Sequence, residues 1–309
     1  GTTTWLRRRL RLSYEAWRRL HVLLTFIAMM GAYVHVLLAS DYAWTTSLRV
    51  FAAAAALLCF GGIVYLRAGR AFSASKRPYE LVEVRAERGG ASTIKLVARD
   101  HPGIRFAAGQ FAWLRTGGDG AVLVEHPLSV ASSVHDPRTV EFTARHVGDA
   151  TRRLSSLAPG TPVLVDGPHG DIGSIEQAHG WLLIVAGIGI TPAMSIVRTM
   201  AASGRQHQPT QLIYGVRSWT DATFRDELEQ LAEAGWIELI PVVSSAPAPP
   251  YGVAGRIDGP LLARVLPADR ARRSALVCGP SSFNERVAVE LEAAGVPPGN
   301  IHVERFGSA

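Results

Sequence analysis

Two long uncharged apolar runs open the chain, Val22 to Ala39 and Val50 to Leu66. At about 1.5 Å of rise per residue, each covers most of a roughly 30 Å hydrocarbon core, so the pattern predicts a transmembrane helical hairpin. The connector from Ser40 to Thr45 has no Lys or Arg and offers Tyr42 and Trp44 to an interface. From Tyr79 the period changes to alternating runs at 80–84, 93–97, 110–114, 140–144 and 162–165, broken by Gly, Pro and Asp. Five such runs predict a small antiparallel β-barrel. From Trp181 to Ala186 the apolar run is continuous, the mark of a strand buried on both faces of a parallel sheet. Further strands are expected at Gln211 to Tyr214, Ile237 to Val243 and Ala275 to Val277. Helices are expected at Ala193 to Ala202, Asp221 to Ala234 and Ser282 to Ala294, completing a βαβ progression. The expected chain is multidomain: transmembrane helices over 1–77, a barrel over 78–173 and an α/β domain over 174–309.

Composition narrows the class. The 309 residues suit about two or more domains by the ~150-residue prior. With 48% hydrophobic and 19% charged residues, a disordered chain is excluded. Cys59 and Cys278 form neither a disulfide framework nor a paired-cysteine metal motif. Residues 1–77 carry 11 Lys/Arg against Glu15 and Asp41, whereas the remainder carries 21 against 24 Asp/Glu. The basic clusters abut the apolar runs, a juxtamembrane placement that favours lipid over nucleic acid. Both basic flanks are therefore expected on the cytoplasmic side of a cell membrane crossed more than once. The rival, a signal peptide, lacks a clear small-residue cleavage site. Gly1 in place of Met suggests a piece of a longer or processed product.

Several short strings carry chemistry. His21 and His35 are 14 residues apart, about 21 Å along a helix and within ~40° of the same face. Imidazole is a common axial haem ligand, and ionisable groups in a span are functional candidates. Two haems ligated on both faces need four histidines, and the second apolar run has none. The missing partners would come from upstream helices or another chain. His126-Pro127-Leu128-Ser129 places a hydroxyl after a strand-breaking proline, where it can hydrogen-bond a flat heterocycle. Gly148 to Leu154 reads as a loop entering a short helix, suited to pyrophosphate or to ordinary capping. Asp166 to Gly170 reads as a tight turn. Gly187-Ile188-Gly189-Ile190-Thr191-Pro192, between a buried strand and a helix, points to dinucleotide phosphate binding, with Thr191 as a cap and Pro192 at the first helical position. After the next strand, Arg217 and Ser218 favour the 2′-phosphate of NADPH over NADH, although Asp221 is close by. Cys278-Gly279-Pro280 follows the last buried strand, at the edge where open α/β sheets bind ligands.

In this order, Gly109 to Phe111, His126 to Ser129, Gly148 to Thr151, Gly167 to Gly170, Gly187 to Pro192, Cys278 to Pro280 and Glu304 to Phe306 resemble the ferredoxin-NADP reductase superfamily. Tyr14 to His21 followed by His35 looks like a helix of ferric reductases and NADPH oxidases, especially bacterial homologues. The resemblance implies an FAD-binding barrel and an NAD(P)H-binding α/β domain beside part of a haem-binding bundle. It implies His126, Pro127, Leu128 and Ser129 along the flavin, and Gly148 and Thr151 at its phosphates. Gly187, Gly189, Thr191 and Pro192 would hold the phosphates of NADPH, with NADH possible. Arg217 and Ser218 would lie at the adenosine ribose, and Cys278, Gly279 and Pro280 at the nicotinamide. Phe306 would stack on the flavin, although Gly307 to Ala309 follow it and His169 replaces the more usual Tyr. Ser129, Cys278 and Phe306 are the implied catalytic set. Electrons would leave through two b-type haems at His21 and His35 for dioxygen or a ferric chelate outside. The alternative is a membrane-tethered reductase without haem that donates to a soluble partner protein.

Overall fold

The computed structural model describes residues 14–39, 47, 50–51, 53–62, 65, 78–116, 124–170, 178–204, 208–245 and 247–305. The chain forms two compact units, residues 1–72 and 73–308.

In the first unit, helix α1 spans Tyr14–Ala39, and Phe26 meets Phe60 edge-on at 5.0 Å. Among the described residues, no helix is long and apolar enough to cross a membrane. This corrects the expected hairpin and the multi-pass localisation built on it. Glu15, Arg18, Arg19 and His21 lie in the first turns of α1, and Thr25, Tyr33 and His35 lie further along it. The described helical residues of the second run are 50–51, 53–62 and 65, with Gly61 and Gly62 among them.

The second unit opens with six antiparallel strands: β1 Pro78–Glu87, β2 Ala91–Ala98, β3 Phe111–Thr116, β4 Val124–Ser129, β5 Thr139–Arg145 and β6 Pro162–His169. Their order is β4-β3-β6-β1-β2-β5, and a bridge between Val130 and Phe142 joins the ends. Period-2 alternation builds the interior, as Tyr79 and Leu81, Ile94 and Leu96, and Val163 and Val165 are all buried. Strand β4 is not expected from the pattern, because Pro127 reads as a breaker. Its place at the sheet edge explains the tolerance: Pro127 pairs with Trp113 on β3 and owes no second ladder bond. The expected turn at 166–169 continues β6 instead, with His169 opposite Phe111.

A short helix, α2 (Asp149–Ser155), follows β5. Then come β7 Trp181–Ala186, α3 Ile190–Ala202, β8 Thr210–Val216, α4 Arg225–Glu233, β9 Glu238–Val243, β10 Val253–Ala254, α5 Gly259–Val265, β11 Ser274–Gly279, α6 Ser281–Ala293 and β12 Ile301–Arg305. The six strands are parallel, in the order β10-β9-β8-β7-β11-β12. The chain therefore winds outward from β7 in one direction and returns to its other side at β11, a topological switch point. Leu183, Val185 and Tyr214 pack on one face of this sheet, and Leu182, Ile184 and Val277 on the other.

Helix α3 also meets the barrel. Arg198 donates to the Ala131 carbonyl at 2.9 Å and to Glu141 at 3.0 Å, both from the barrel, and to Glu227 of α4 at 2.6 and 2.7 Å. Its guanidinium lies 5.0 Å over the Phe224 ring. Ser195 Oγ donates to the Ser132 carbonyl at 2.8 Å, and the Val134 amide donates to Thr199 at 3.2 Å. Burial opposes the Arg198 charge, but Glu227 and Glu141 outweigh it and hold the pKa above its ordinary value. Arg198→Met leaves Glu227 without this partner and Glu141 with only its 3.9 Å contact to Arg85. The expected loss is about 2–3 kcal/mol, the range for hydrogen bonds to charged groups. Urea unfolding measures it, and an unmoved midpoint would show that the network contributes nothing to stability.

Candidate functional site

The turn after β7 is built from glycine for two separate reasons. Gly187 has φ +56° with open space where a side chain would be, leaving its backbone accessible. A Cβ on Gly189 would lie 2.1 Å from the Cys278 carbonyl, so only glycine lets β11 approach. The buried Tyr214 hydroxyl donates to the Gly187 carbonyl at 3.0 Å and pins the turn from beneath. Thr191 Oγ1 donates to the Ile188 carbonyl at 3.1 Å. A 3-10 turn over Gly187–Gly189 runs directly into α3, so the helix starts at Ile190 and Pro192 is its third residue, not its first. Proline is tolerated there because the first N–H groups of a helix have no intrahelical partner.

This turn forms part of the lining of a cleft of about 1120 Å³ at the carboxyl edge of the parallel sheet. Gly187, Gly189, Arg217, Ser218, Gly279 and Pro280 come together on its lining, and the barrel adds Gly89, Gly90 and Arg145. Thr191 and Pro192 are buried in the first turn of α3. Four guanidiniums, Arg145, Arg217, Arg256 and Arg286, face one lining carboxylate, Asp221. Such an excess of positive charge suits a polyphosphate. Arg145, Tyr214, Ser244, Arg256 and Arg286 were not foreseen; a two-residue strand before Arg256 is too short for periodicity to reveal.

Cys278 lies behind the glycine turn, fully buried. Burial pushes its thiol pKa up, and Glu304 adds to the shift, so the group is a neutral thiol and not a nucleophile. Cys278 and Glu304 are register partners on β11 and β12. The Glu304 carboxylate reaches 3.6 Å from where a Cβ on Gly170 of the barrel would lie. Burial raises its pKa as well. Asn284 Nδ2 donates to the Glu304 carbonyl at 2.7 Å, while Asn284 Oδ1 is buried with no partner among the described residues.

On the barrel, Ser129 is buried and pairs with Phe111, Leu128 is half-buried and Pro127 exposed. His126 pairs with Leu114 in the same ladder. Gln110 accepts from the Ala107 amide and donates to the Gly170 carbonyl, both at 2.7 Å, tying two loops beside this strand end. Gly148 is extended with open space around it, and Thr151 Oγ1 exchanges hydrogen bonds with its backbone at 3.0 and 3.3 Å. Phe306 lies outside the described residues.

The haem expectation is not supported. His35 is exposed on α1, and His21 belongs to the same helix, while 1–77 contains no further histidine. Among the described residues, no group of three His, Cys, Asp or Glu is placed to hold a metal ion.

Because burial raises the Glu304 pKa, the native state binds its proton more tightly than the unfolded chain does. The penalty for ionising it is absent below the ordinary carboxylate value near 4.5 and develops as pH rises through the folded pKa. Glu304→Gln is therefore expected to gain stability relative to the parent on going from pH 4 to pH 7, in about the range where a carboxylate titrates. Urea midpoints across this range measure the difference, and parallel profiles would contradict it.

The comparisons with known proteins agree with this geometry. Residues 183–288 match the family model described as the oxidoreductase NAD-binding domain. Over 216 residues the chain is 30% identical to the ferredoxin reductase component of 3-ketosteroid-9-alpha-monooxygenase from Mycolicibacterium smegmatis, covering 66% of this chain and 57% of that protein. It thus spans little more than half the length of that relative. It is 32% identical over 204 residues to the gamma subunit of sulfhydrogenase 1 from Pyrococcus furiosus, covering 64% of this chain and 67% of the subunit. The fold resembles the FAD/NAD-binding domain of nitric oxide dioxygenase from Vibrio cholerae, with TM-score 0.67 and 23% identity over 75% of this chain and 99% of that one. These relatives support the reductase module and not the narrower resemblance to ferric reductases and NADPH oxidases. The chain belongs to the ferredoxin-NADP reductase-type family of NAD(P)H-dependent FAD oxidoreductases.

Proposed function

We propose that this chain takes hydride from NADPH onto FAD and passes the electrons to an oxidised partner protein, with NADH as the lesser donor. The observation that carries this reading is the cationic cleft that runs over an open glycine turn at the switch point of the parallel sheet.

The residues fit the two cofactors. The accessible backbone of Gly187 and the close approach at Gly189 form a cradle that a Cβ would obstruct, suited to a pyrophosphate. Thr191 and Pro192 set the start of the helix behind it. Arg217 and Ser218 supply charge and a hydroxyl for the adenosine ribose, and Cys278, Gly279 and Pro280 shape the opposite end for the nicotinamide. Gly279 has no room for a side chain, since a Cβ would lie 2.6 Å from Phe283. On the barrel, His126, Pro127, Leu128 and Ser129 would border the flavin, Gly148 and Thr151 its phosphates, and Phe306 its ring. Bound FAD supplies the redox chemistry, because it accepts two electrons as hydride and can release them singly.

The chain's own side chains then orient and shield. Among the described residues the buried Ser129 hydroxyl has no hydrogen-bond partner, which leaves it free to bond the flavin edge. The neutral Cys278 thiol fills space without adding charge. Glu304, raised by burial, retains its proton to higher pH than an exposed carboxyl and can donate a hydrogen bond there.

Anaerobic titration of the FAD-loaded chain with NADPH tests the reading: the flavin absorption should bleach with two electrons per donor, and its absence would refute the proposal. Ser129→Ala should retain FAD but slow bleaching about tenfold, the equivalent of one hydrogen bond. Arg217→Ala should raise the NADPH KM much more than the NADH KM; equal effects would refute the 2′-phosphate role. Reoxidation of the bleached flavin by a ferredoxin, by dioxygen or by a ferric chelate, compared in rate, identifies the acceptor. Reoxidation by ferredoxin is expected to be fastest.

A further inference from the structure

We propose that Arg88, at the tip of the β1–β2 hairpin, is a positioning residue that clasps the wall of the cleft shut and sets how fast the oxidised dinucleotide leaves. The inference rests on the proposed hydride-transfer reading and deepens it, by assigning dinucleotide exchange to a contact outside the phosphate cradle.

The hairpin tip is part of the barrel's share of the cleft wall. Gly89 and Gly90 line the cleft together with Asp221 and Thr223, which come from the stretch between β8 and α4. The Gly90 carbonyl accepts from the His146 amide at 2.9 Å, so the tip is held by the barrel. From there Arg88 donates to both Asp226 oxygens at 3.0 and 3.2 Å and to the Thr220 carbonyl at 3.3 Å. Thr223 Oγ1 donates back to the Arg88 carbonyl at 3.2 Å. The fit is close enough to demand glycine: Gly89 has φ +72°, and a Cβ on it would lie 2.5 Å from the Asp221 carbonyl oxygen. The receiving stretch is firm, since Trp219, Ala222, Thr223 and Phe224 are all buried.

Two charged ties of unequal strength thus join the barrel to the α/β half. The Arg198 side chain is 15% exposed, whereas at the clasp Arg88 is 44% and Asp226 61% exposed. An exposed ion pair contributes little and is weakened by salt, while a buried one is screened far less. A separate cavity of about 780 Å³ is lined by residues of both ties, Arg88 and Asp226 together with Arg198 and Glu227. Open space between them leaves the ties uncoupled by packing, so the clasp can part while Arg198 holds. The dinucleotide then has a way out past Gly89 and Asp221 that leaves the glycine turn intact. A contact that opens only for exchange changes the rate of release and not the rate of hydride transfer in the closed complex.

The test compares Arg88→Glu, Asp226→Arg, the double exchange Arg88→Glu/Asp226→Arg and Gly89→Ala in the FAD-loaded chain, with Arg264→Gln on the exposed face of α5 as the control. The readouts are retained FAD, the rate of flavin bleaching at saturating NADPH, and the NADP+ dissociation rate. The last is measured by stopped-flow displacement with excess 2′,5′-ADP, followed by tryptophan fluorescence. Arg88→Glu and Asp226→Arg should each speed NADP+ dissociation about threefold to fivefold, the scale an exposed ion pair allows. Bleaching at saturation should stay within about twofold of the parent, because the closed complex is unchanged. The double exchange should recover part of the parent rate; Asp226 also lies 3.7 Å from Arg225, so recovery is incomplete. Gly89→Ala should speed release with the ion pair's residues in place, and the control should leave it unmoved. An unmoved dissociation rate in both single charge variants, a double exchange as fast as they are, or a bleaching rate that changes in step with release overturns the inference. If the parent binds NADP+ but is bleached by neither dinucleotide, the hydride-transfer reading falls and the dissociation rates still decide the clasp. If it binds no NADP+, both fall.

Discussion

The Arg198 guanidinium ties the barrel to the parallel sheet, and the geometry of the cleft depends on that tie. Its bonds reach a barrel carbonyl, a barrel carboxylate and a carboxylate of α4, so neither half can shift without breaking charged hydrogen bonds. The same helix carries both jobs. Thr191 secures the glycine turn at the start of α3, and Ser195, Arg198 and Thr199 follow at spacings that keep them near one face. The position of the phosphate cradle relative to the barrel is therefore set within three turns of one helix. A buried ion pair is weak evidence for net stability, because desolvation offsets much of the attraction. Its directional hydrogen bonds favour one docking geometry over a slid one, and that is its larger contribution here.

Much of this fold is legible from periodicity alone. The alternation in β1, β2, β3 and β5 reports one buried face, and the unbroken run in β7 reports two, because burial acts on every residue of an element in the same way. Strand β4 escapes for a local reason: Pro127 lacks an N–H, and only the sheet order shows that an edge strand can do without it. Helix α3 begins three residues before the expected start, since the 3-10 turn at Gly187–Gly189 leads into it without a break. Glu304 and Arg256 escape for a different reason. Their surroundings come from neighbouring strands, β11 for Glu304 and β9 for Arg256, and no local pattern encodes which strands will be neighbours.

The apolar N-terminal runs show the opposite error, in which a strong local signal is taken too far. The runs also include Thr25, Tyr33 and His35 in α1 and Gly61 and Gly62 in the second stretch. The haem expectation depended on the same helix, and the stripe relating His21 to His35 is a property of any helix with a 14-residue spacing. What distinguished the glycine strings from the histidine pair was context. The strings at Gly187–Gly189 and Cys278–Pro280 each join a buried strand to a helix, so the fold itself requires something unusual of their backbone. The histidines occupy positions on α1 that make no comparable demand.

Arg217 and Arg256, on the cleft lining, leave the ends of β8 and β10 on one flank of β7, whereas Cys278 and Glu304 belong to β11 and β12 on the other. At that second flank burial disfavours ionisation, holding the thiol neutral and raising the carboxyl pKa. Under the proposed function this division separates binding from chemistry. Affinity for a dinucleotide depends on phosphate contacts that do not change as hydride moves, so arginine substitutions alter KM and selectivity. The reaction instead moves two electrons and a proton between rings whose charge distribution changes, and a nearby fixed charge would favour one redox state over the other. A neutral thiol avoids that bias, and burial disfavours the charged form of Glu304. The burial that makes them hard to ionise therefore serves the site as well as the core.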